Sequence, residues 1–278
     1  MRLDAAIAEA AERLAGVSES PRLDAELLLC RTIDMPRSYL FAHPEDELDE
    51  VTQARFEALI GRRAAGVPMA YITGVKEFWS REFTVTPATL VPRPETEMLV
   101  NLALCEIPRD AEWQVLDLGT GSGAIAVSIA CERPLCQVTA VDNSREALAV
   151  AQENARTLAP GNVACVLGDW TGPVRDRSFD LIVSNPPYVR ADDAALASLG
   201  HEPRAALVAG EDGLDALRAL AADCARLLVP GGLLLLEHGA DQAAAVAALL
   251  EAQSWADIEC HNDLAGLPRV TAARRGGK

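Results

Sequence analysis

The sequence predicts an α/β protein in which a helical N-terminal segment precedes a parallel β-sheet with helices on both faces. Two observations support this fold class. From Trp113 onward, short apolar runs alternate with helical segments, which is typical of βαβ units. A glycine-rich stretch follows the first of these runs, at the position where such sheets bind their ligands.

Composition sets limits on the class of protein. The chain has 278 residues, of which 50% are hydrophobic and 24% charged, as in an ordinary globular protein. Its formal net charge of −16 argues against an extended nucleic-acid-binding surface, which is normally basic. The N-terminus has no apolar signal core, and the apolar run 233–236 is too short to span a membrane. We therefore expect a soluble cytoplasmic protein.

The seven cysteines are scattered along the chain and never form a C-x-x-C pair. No spacing of cysteine and histidine matches a zinc site. The pattern predicts reduced cysteines that pack as small hydrophobic side chains, with no bound metal.

Residues 1 to about 70 have helical periodicity. Apolar side chains recur at helical spacing in the first segment, at Leu3, Ile7, Ala10 and Leu14. Ser20 followed by Pro21 predicts the start of a second helix. A third helix is expected from about Leu48 to Ile60, ending at Gly61, and the acidic run before it is expected to be solvated.

A different pattern follows between residues 74 and 91. Aromatic and β-branched residues surround a polar centre in the stretch 77–85, which predicts a β-hairpin. Pro92 and Pro94 then introduce a helix that carries Met98 and Leu102. We interpret this region as a connector to the sheet.

Five apolar runs are predicted to be strands of that sheet: Val115–Leu118, Val138–Val141, Val163–Leu167, Leu181–Ser184 and Leu233–Glu237. A helix to Cys131 follows the first strand, and Ser144 is expected to cap a helix that reaches about Leu158. The carboxyl ends of parallel strands meet at one edge, so candidate site residues are those that directly follow each strand.

Three alternate glycines, Gly119, Gly121 and Gly123, follow the first strand and let the backbone approach a ligand closely. Their G-x-G-x-G spacing differs from the G-x-G-x-x-G dinucleotide fingerprint. By itself the motif fits a tight strand–helix connection equally well.

Two further strand ends carry residues suited to a nucleoside. Asp142 can accept both hydroxyls of a ribose, although it could also cap the next helix. Asp169 could accept from an adenine amino group, and Trp170 could cover a base or be only a buried tryptophan after a turn. The three strand ends together favour adenosine binding.

The fourth strand ends in Asn185-Pro186-Pro187-Tyr188. The amide oxygen of Asn185 and the carbonyl of Pro186 are two acceptors held by a rigid backbone, and Tyr188 offers a flat ring. This set suits a planar –NH2 group. If the adenosine belongs to S-adenosyl-L-methionine, the reaction is methyl transfer to that nitrogen. We predict no metal, no covalent intermediate and no dedicated strong base.

At this point the chain resembles methyltransferases that act on amide or exocyclic amino nitrogens. More closely, it is similar to the bacterial release-factor glutamine methyltransferases, the HemK/PrmC family. The matching stretches are AYITG, VPRPETE, LDLGTGSGAIA, VDNSREAL, GDW, VSNPPYV, HEPRAALVAGEDGLD and LLLLEHG. The resemblance implies an N-terminal helical bundle over 1–72 that docks the substrate, a β-hairpin linker over 73–91, and a seven-stranded Rossmann-like methyltransferase domain over 92–278. It also implies the substrate, the glutamine of a Gly-Gly-Gln loop on peptide chain release factors.

The resemblance assigns roles to individual residues. It implies that the cofactor is bound by Gly119, Thr120, Gly121, Ser122, Gly123, Asp142, Trp170 and Asn185. Asn185 and the Pro186 carbonyl are expected to bind the glutamine amide, with Pro187 and Tyr188 beside them. Arg93, Glu95 and Glu97 belong to a family motif near the cofactor, where an ion-paired structural role fits as well. The stretch 263–270 is looser than the family's usual ending.

Alternatives remain open. A glutamine methyltransferase of a ribosomal protein would use the same site, and the motifs 70–74 and 93–97 favour the release-factor branch. A DNA adenine-N6 methyltransferase would need a basic groove for the duplex, which the acidic composition disfavours. The glycine spacing and the fourth strand end argue against a nicotinamide-dependent oxidoreductase. Four equipped strand ends argue against a binding module without catalysis.

Overall fold

A computed structural model of the chain describes residues 1–159 and 161–276. The residues group into two compact units, Met1–Val75 and Lys76–Lys278. Because the division falls after Val75, nearly all of the β-hairpin belongs to the second unit. Within the described residues, no helix is long and apolar enough to span a membrane.

The first unit is helical. Its helices are α1 (Leu3–Leu14), α2 (Pro21–Ile33), α3 (Arg37–Ala42), α4 (Glu50–Ala64) and α5 (Met69–Thr73). Their apolar faces surround a shared core whose largest fully buried side chains are Leu14, Leu28, Leu29, Phe56 and Ile60. α2 begins at Pro21 as predicted, because a proline at the first helical position lacks only an N–H that would be unbonded there.

The predicted bounds of the third helix are wrong at both ends. Asp49 caps α4 by accepting from the N–H of Thr52 at 2.8 Å, so Leu48 precedes the helix. The helix continues through Gly61 to Ala64, since one glycine in a helix interior costs only about 1 kcal/mol. α3 and α5 were not anticipated, because five or six residues are too few to show a helical period.

The hairpin and the sheet form the second unit. Strands β1 (Val75–Phe78) and β2 (Arg81–Thr84) make the predicted hairpin, with Trp79 and Ser80 at positive φ in its two-residue turn. A short 3₁₀ turn, Pro94–Thr96, then leads into α6 (Glu97–Glu106).

The sheet follows with β3 (Gln114–Leu118), α7 (Ala124–Glu132), β4 (Gln137–Asp142), α8 (Arg145–Leu158), β5 (Val163–Leu167) and β6 (Phe179–Ser184). Its last elements are α9 (Asp215–Leu227), β7 (Leu228–Glu237), α10 (Ala243–Ala252), β8 (Ala256–Asn262) and β9 (Pro268–Arg274). The order across the sheet is β5-β4-β3-β6-β7-β9-β8, in which only β9 pairs antiparallel with both of its neighbours. This architecture confirms the predicted seven-stranded α/β fold.

Alternate strand residues point to opposite faces of the sheet. In β6, Leu181 and Val183 pack with α6 and α7, whereas Ile182 packs with α9 and α10. β7 repeats the alternation, so both faces are buried, as a parallel sheet requires. Strands β8 and β9 were not predicted, because polar residues such as Glu259, His261 and Arg269 interrupt their apolar pattern.

Candidate active site

One cavity lies at the carboxyl ends of four neighbouring parallel strands. β3 contributes Gly119 to Ser122, and β4 contributes Asp142 and Asn143. β5 contributes Gly168 and Trp170, and β6 contributes Asn185 and Pro187. Strand order reverses beside β3, which pairs with β4 on one side and β6 on the other. The cavity therefore lies at the topological switch point, where such sheets bind ligands.

The loop after β3 is held by the neighbouring strand. The N–H groups of Gly119 and Thr120 both donate to the carbonyl of Val141 at 2.9 Å. Gly121 has φ +56°, and a Cβ there would meet no protein atom within 4 Å. This glycine therefore leaves open space at the cavity wall, as close approach of a ligand to the backbone requires.

Gly123 has a different role from its neighbours in the motif. It is not among the residues that line the cavity, and a Cβ there would lie 3.2 Å from Cβ of Ala151 in α8. Its φ of +81° also starts α7 in a conformation that suits glycine. The structure thus explains Gly123 by helix packing, and its predicted ligand contact stays a prediction.

Asp142 ends β4 and faces the cavity. Its Oδ2 accepts from the N–H of Gly121 and its Oδ1 from the N–H of Ser144, each at 2.8 Å. Ser144 caps α8 as predicted, because its Oγ accepts from the N–H of Ala147 at 3.1 Å. Each carboxylate oxygen has a second lone pair, so Asp142 keeps the capacity to accept ribose hydroxyls.

Trp170 also lines the cavity, and a Cβ on Gly119 would lie 3.3 Å from its ring. The ring therefore packs on the glycine loop at one side of the wall. Asp169 is not among the lining residues, and its Oδ1 lies 3.5 Å from Nδ2 of Asn143. Of the two nucleoside candidates after β5, only Trp170 is in place to border a ligand.

The Asn185–Tyr188 tetrad divides between the wall and the interior. Asn185 and Pro187 line the cavity, whereas Pro186 is buried and Tyr188 is half-buried outside the lining. Asn185 Nδ2 donates to the hydroxyl of Thr96 at 3.0 Å. Among the described residues, no donor bonds Asn185 Oδ1 or the Pro186 carbonyl, so both oxygens keep free acceptor capacity.

Two buried carboxyl groups lie close to this site. Burial raises the pKa of Asp117 to about 7, although Thr120 and the N–H of Ala126 both bond its Oδ2. Burial also raises the pKa of Glu237 to about 7, and hydrogen bonding with Thr96 opposes this rise. Burial and the charge of Glu237 raise the pKa of Tyr188 to about 12. Near pH 7, Asp117 and Glu237 are therefore partly protonated, and Tyr188 is fully protonated.

Two further segments complete the cavity wall, of which only the motif with Arg93 was expected near the cofactor. One part is lined by Ala88, Thr89, Leu90, Pro92, Arg93 and Thr96, and another by Pro203, Ala205 and Ala206. Glu202 connects them by accepting from the N–H of Val91 at 3.0 Å and by pairing with Arg93. The motif VPRPETE contains Pro92, Arg93 and Thr96, and HEPRAAL contains Pro203, Ala205 and Ala206. Residues 88–90 lie outside both motifs, and HEPRAAL was given no role from the sequence. Glu97 has a structural contact, as its Oε1 accepts from the N–H of Trp79 at 2.8 Å.

Comparison with known families gives two matches along the chain. Residues 5–74 match the PrmC N-terminal domain, and residues 96–210 match the methyltransferase small domain. Among solved structures, a methyltransferase from Pyrococcus furiosus has a TM-score of 0.56 at 18% identity. The alignment covers 78% of this chain and 99% of that one, which supports the fold.

Curated relatives are far closer in sequence. The release factor glutamine methyltransferase of Coxiella burnetii is 47% identical over 265 residues, which cover 95% of this chain and 96% of that protein. The release factor glutamine methyltransferase of Salmonella typhimurium is 46% identical, covering 92% of this chain and 93% of its own. The similarity therefore extends over both units and includes every cavity-lining segment.

Proposed function

The chain belongs to the family of release factor glutamine methyltransferases, and from this membership we propose its reaction and substrate. It transfers the methyl group of S-adenosyl-L-methionine to the side-chain amide nitrogen, N5, of the glutamine in the Gly-Gly-Gln loop of peptide chain release factors. Identity of 47% over 95% of the chain supports the assignment. A reaction on translation termination factors would take place in the cytoplasm.

The residues of the cavity fit S-adenosyl-L-methionine. Gly121 leaves open space beside the loop, and Asp142 at the end of the next strand offers acceptors for ribose hydroxyls. Trp170 borders the space next to Gly119, where the adenine would lie. When bound, the cofactor supplies a methyl group on a positively charged sulfur. Thr120, Ser122 and Gly123 complete the proposed loop around its methionine part.

Asn185 and Pro186 orient the nitrogen that receives the methyl. Asn185 Oδ1 and the Pro186 carbonyl accept the two N–H groups of the substrate glutamine amide, with Pro187 and Tyr188 beside it. These bonds draw electron density toward the amide nitrogen and favour the positive charge that develops as its bond to carbon forms. The nitrogen then releases one proton to water, so no strong base is required.

One observation carries the proposal: Asn185 and the glycine loop line the same cavity. Transfer of a methyl group is an in-line displacement, which requires the two binding sites to be adjacent. A pocket for the cofactor alone would not need an amide acceptor at its wall. The half of the site that binds the nitrogen is therefore the feature that separates a transferase from a nucleotide-binding module.

The test is a labelling experiment with defined acceptors. The protein is incubated with methyl-labelled S-adenosyl-L-methionine and, separately, a termination factor, its Gly-Gly-Gln glutamine→alanine variant, a ribosomal protein and duplex DNA. We expect label only in the unmodified termination factor, with mass spectrometry locating the methyl on the glutamine side chain. Label in the alanine variant, or labelling of DNA or ribosomal protein in preference to the factor, would overturn the proposed substrate.

A further inference from the structure

The Pro186 carbonyl is one of the two acceptors in the proposed reaction, and no hydrogen bond holds it in place. Among the described residues, no N–H or O–H group donates to it. Its position is therefore set by its neighbours along the chain. The rings of Pro186 and Pro187 fix φ at both residues, so few torsions between Asn185 and Tyr188 are free. The aim of this carbonyl thus depends on how firmly the two ends of the tetrad are held.

The first end of the tetrad is held by the sheet. β6 pairs with β3 up to its last residue, Ser184, which lies opposite Leu118. Ser184 Oγ also donates to the Leu118 carbonyl at 2.6 Å, and Asn185 Nδ2 donates to Thr96 Oγ1 at 3.0 Å. Strand pairing of β6 ends there, so the tetrad needs a second anchor at Tyr188.

That second anchor is the peptide group between Tyr188 and Val189. The N–H of Val189 donates to the Leu207 carbonyl at 2.8 Å, and the Val189 carbonyl accepts from the N–H of Ala209 at 3.0 Å. On the other side of the same peptide group, Gln242 Nε2 donates to the Tyr188 carbonyl at 3.0 Å. A peptide group is planar, so bonds at both its C=O and its N–H prevent it from turning.

The side-chain amide of Gln242 is fully used in this arrangement. Gln242 precedes the first residue of α10 and is 8% exposed. Besides the bond to Tyr188, its Nε2 donates to the Gly213 carbonyl at 3.3 Å, and its Oε1 accepts from the N–H of Gly239 at 2.9 Å. Two carbonyl groups and one N–H require two donors and one acceptor, which an amide supplies in one orientation only.

Gly213 leaves the room that this hydrogen bond needs. Gly213 is buried and has φ +76°, and a Cβ there would overlap the Tyr188 oxygen and lie 2.9 Å from Gln242 Nε2. A side chain at this position would therefore push the Tyr188 carbonyl away from Gln242. Gly213 belongs to the motif HEPRAALVAGEDGLD, so this part of the motif acts on the tetrad from outside the cavity lining.

We propose that Gln242 is a positioning residue for methyl transfer, which sets the aim of the Pro186 carbonyl by anchoring the peptide group after Tyr188. The inference rests on the proposed function, because it concerns how the tetrad receives the substrate amide. Gln242 lies outside the cavity lining. Within the described part of the chain, it makes no hydrogen bond to the segments after β3, β4 and β5 that would hold the cofactor.

The consequence is a loss of rate with little loss of binding. The substrate nitrogen must lie in line with the bond from sulfur to the methyl group, and a displacement of about 1 Å can cost up to about 100-fold in rate. The cofactor half of the cavity is unchanged, so its affinity should be retained. A protein substrate is bound over an area far larger than one amide, so its KM should change less than kcat.

The first experiment compares Gln242→Met with wild type, using the full-length protein and a termination factor as acceptor. Methionine keeps the length of the side chain and removes both donors and the acceptor. Asn162→Leu is the matched control. Asn162 is 7% exposed, and its Nδ2 donates to the carbonyls of Cys136 and Ala130 at 2.9 and 3.2 Å. It precedes β5, so it lies at the opposite edge of the sheet from the cavity.

We expect kcat of Gln242→Met to fall by about tenfold or more, with KM for the factor changed much less. The Kd for S-adenosyl-L-methionine should stay within about twofold of wild type by calorimetry. Asn162→Leu should lose stability in urea but keep the wild-type kcat. Wild-type kcat in Gln242→Met, an equal fall in Asn162→Leu, or a rise in the cofactor Kd that matches the fall in kcat would overturn the inference.

The second experiment does not require a Gln242 variant to fold. Gly213→Ala displaces the Tyr188 carbonyl while leaving the Gln242 side chain in the protein. Gly231→Ala is its control, because Gly231 has nearly the same φ, +78°, and a Cβ there would meet no protein atom within 4 Å. We expect a fall in kcat of about tenfold or more for Gly213→Ala and wild-type kcat for Gly231→Ala. Equal values of kcat in the two variants would contradict the proposed role.

The same measurements separate this inference from the proposed function. Failure of the wild-type protein to methylate any termination factor would overturn the proposed function and this inference with it. Methylation by wild type together with unimpaired Gln242→Met and Gly213→Ala variants would overturn only the positioning role of Gln242.

Discussion

The backbone N–H of Gly121 donates to Asp142 Oδ2 at 2.8 Å, which connects the loop after β3 to the end of β4. The same carboxylate bonds the N–H of Ser144 through Oδ1 at 2.8 Å. Asp142 therefore fixes the shape of the glycine loop before any ligand arrives, and its remaining lone pairs face the cavity. In the proposed cofactor site, such prior organisation of the loop reduces the ordering cost of binding.

Replacement of Asp142 should affect the cofactor more than the acceptor. Asp142→Ala removes the ribose acceptor and frees the loop, so we expect the Kd for S-adenosyl-L-methionine to rise by about 10- to 100-fold, since a hydrogen bond to a charged group contributes about 1.5–3 kcal/mol. Calorimetric titration measures this change. Asp169→Ala is the control, because Asp169 follows the next strand without lining the cavity. Equal loss in both variants would contradict the assignment of Asp142.

Asn185→Ala should affect methyl transfer to the acceptor more than cofactor affinity. It removes the proposed acceptor for the glutamine amide, so we expect loss of about 100-fold or more in methyl transfer to the termination factor. The Kd for S-adenosyl-L-methionine should change little, because Asp142 and the glycine loop are intact. Labelling rate and calorimetry give the two quantities. Parallel loss of both would show that Asn185 mainly holds the cofactor.

The glycines of the loop should separate binding from stability. Gly123→Ala places a Cβ 3.2 Å from Ala151 Cβ at positive φ, so we expect a loss of about 2–4 kcal/mol in the free energy of unfolding. In Gly121→Ala the new Cβ meets no protein atom within 4 Å. Its positive φ alone should therefore lower the free energy of unfolding by about 1–2 kcal/mol.

The same pair should differ in cofactor affinity. Gly121→Ala fills space at the cavity wall and should raise the Kd for S-adenosyl-L-methionine by about tenfold or more. Stability can be followed by tryptophan fluorescence in urea, because all four tryptophans lie in the second unit. A larger stability loss for Gly121→Ala than for Gly123→Ala would contradict the packing assignment.

The ion pair between Arg93 and Glu202 should hold two cavity walls together. Glu202 is 7% exposed, whereas the Arg93 side chain is 36% exposed. Arg93→Met leaves a buried charge without its partner, and we expect a loss of about 1–3 kcal/mol in the free energy of unfolding. Glu202→Gln still offers an acceptor to the N–H of Val91 and leaves Arg93 access to water. We therefore expect a smaller loss, about 1 kcal/mol, in the free energy of unfolding.

Both variants should also weaken cofactor binding, because Arg93 and Pro203, the residue after Glu202, line the cavity. Urea midpoints and calorimetric titration give the comparison with wild type. Arg190→Met is the control, since Arg190 forms an exposed ion pair with Asp192 and should change neither quantity. A smaller stability loss for Arg93→Met than for Glu202→Gln would be inconsistent with the burial of Glu202.

Asp117 should make stability depend on pH. Burial raises its pKa to about 7 in the folded chain, whereas an unfolded aspartate ionises near pH 4. Between these values the folded state holds the proton and the unfolded state does not, so the free energy of unfolding falls as pH rises. Asp117→Asn lacks this dependence. As pH rises from 4 to 8, the free energy of unfolding of Asp117→Asn should therefore increase relative to that of wild type by on the order of 3 kcal/mol.

Urea denaturation followed by tryptophan fluorescence at several pH values tests this prediction. A neutral amide at position 117 can still accept from Thr120 and Ala126, so the variant is expected to fold. Asp180→Asn is a control in β6, which pairs with β3; there the carboxylate accepts from the exposed N–H of Gln114. A constant difference between Asp117→Asn and wild type across the pH range would exclude a buried titrating Asp117.

Local sequence patterns were sufficient to predict most strands of the sheet. Five parallel strands and the helices between them were predicted because apolar runs and glycine turns reflect burial within a few residues along the chain. Gly121, Asp142, Trp170 and Asn185 were predicted from their places after those strands, and the structure brings all four to one cavity. Strands β8 and β9 were missed, since polar and charged residues interrupt their apolar pattern.

By itself, the sequence determined the fold class and that residues after four different strands come together, because the carboxyl ends of parallel strands must meet at one edge. Only the tertiary structure decided which glycine leaves open space and which packs against a helix. It also decided the partners of Asn185, Arg93 and Asp142. Thr96 and Glu202 lie 89 and 109 residues from the groups they bond, Asn185 and Arg93. No local period or spacing records a hydrogen bond over such a separation, because it exists only once the chain has packed.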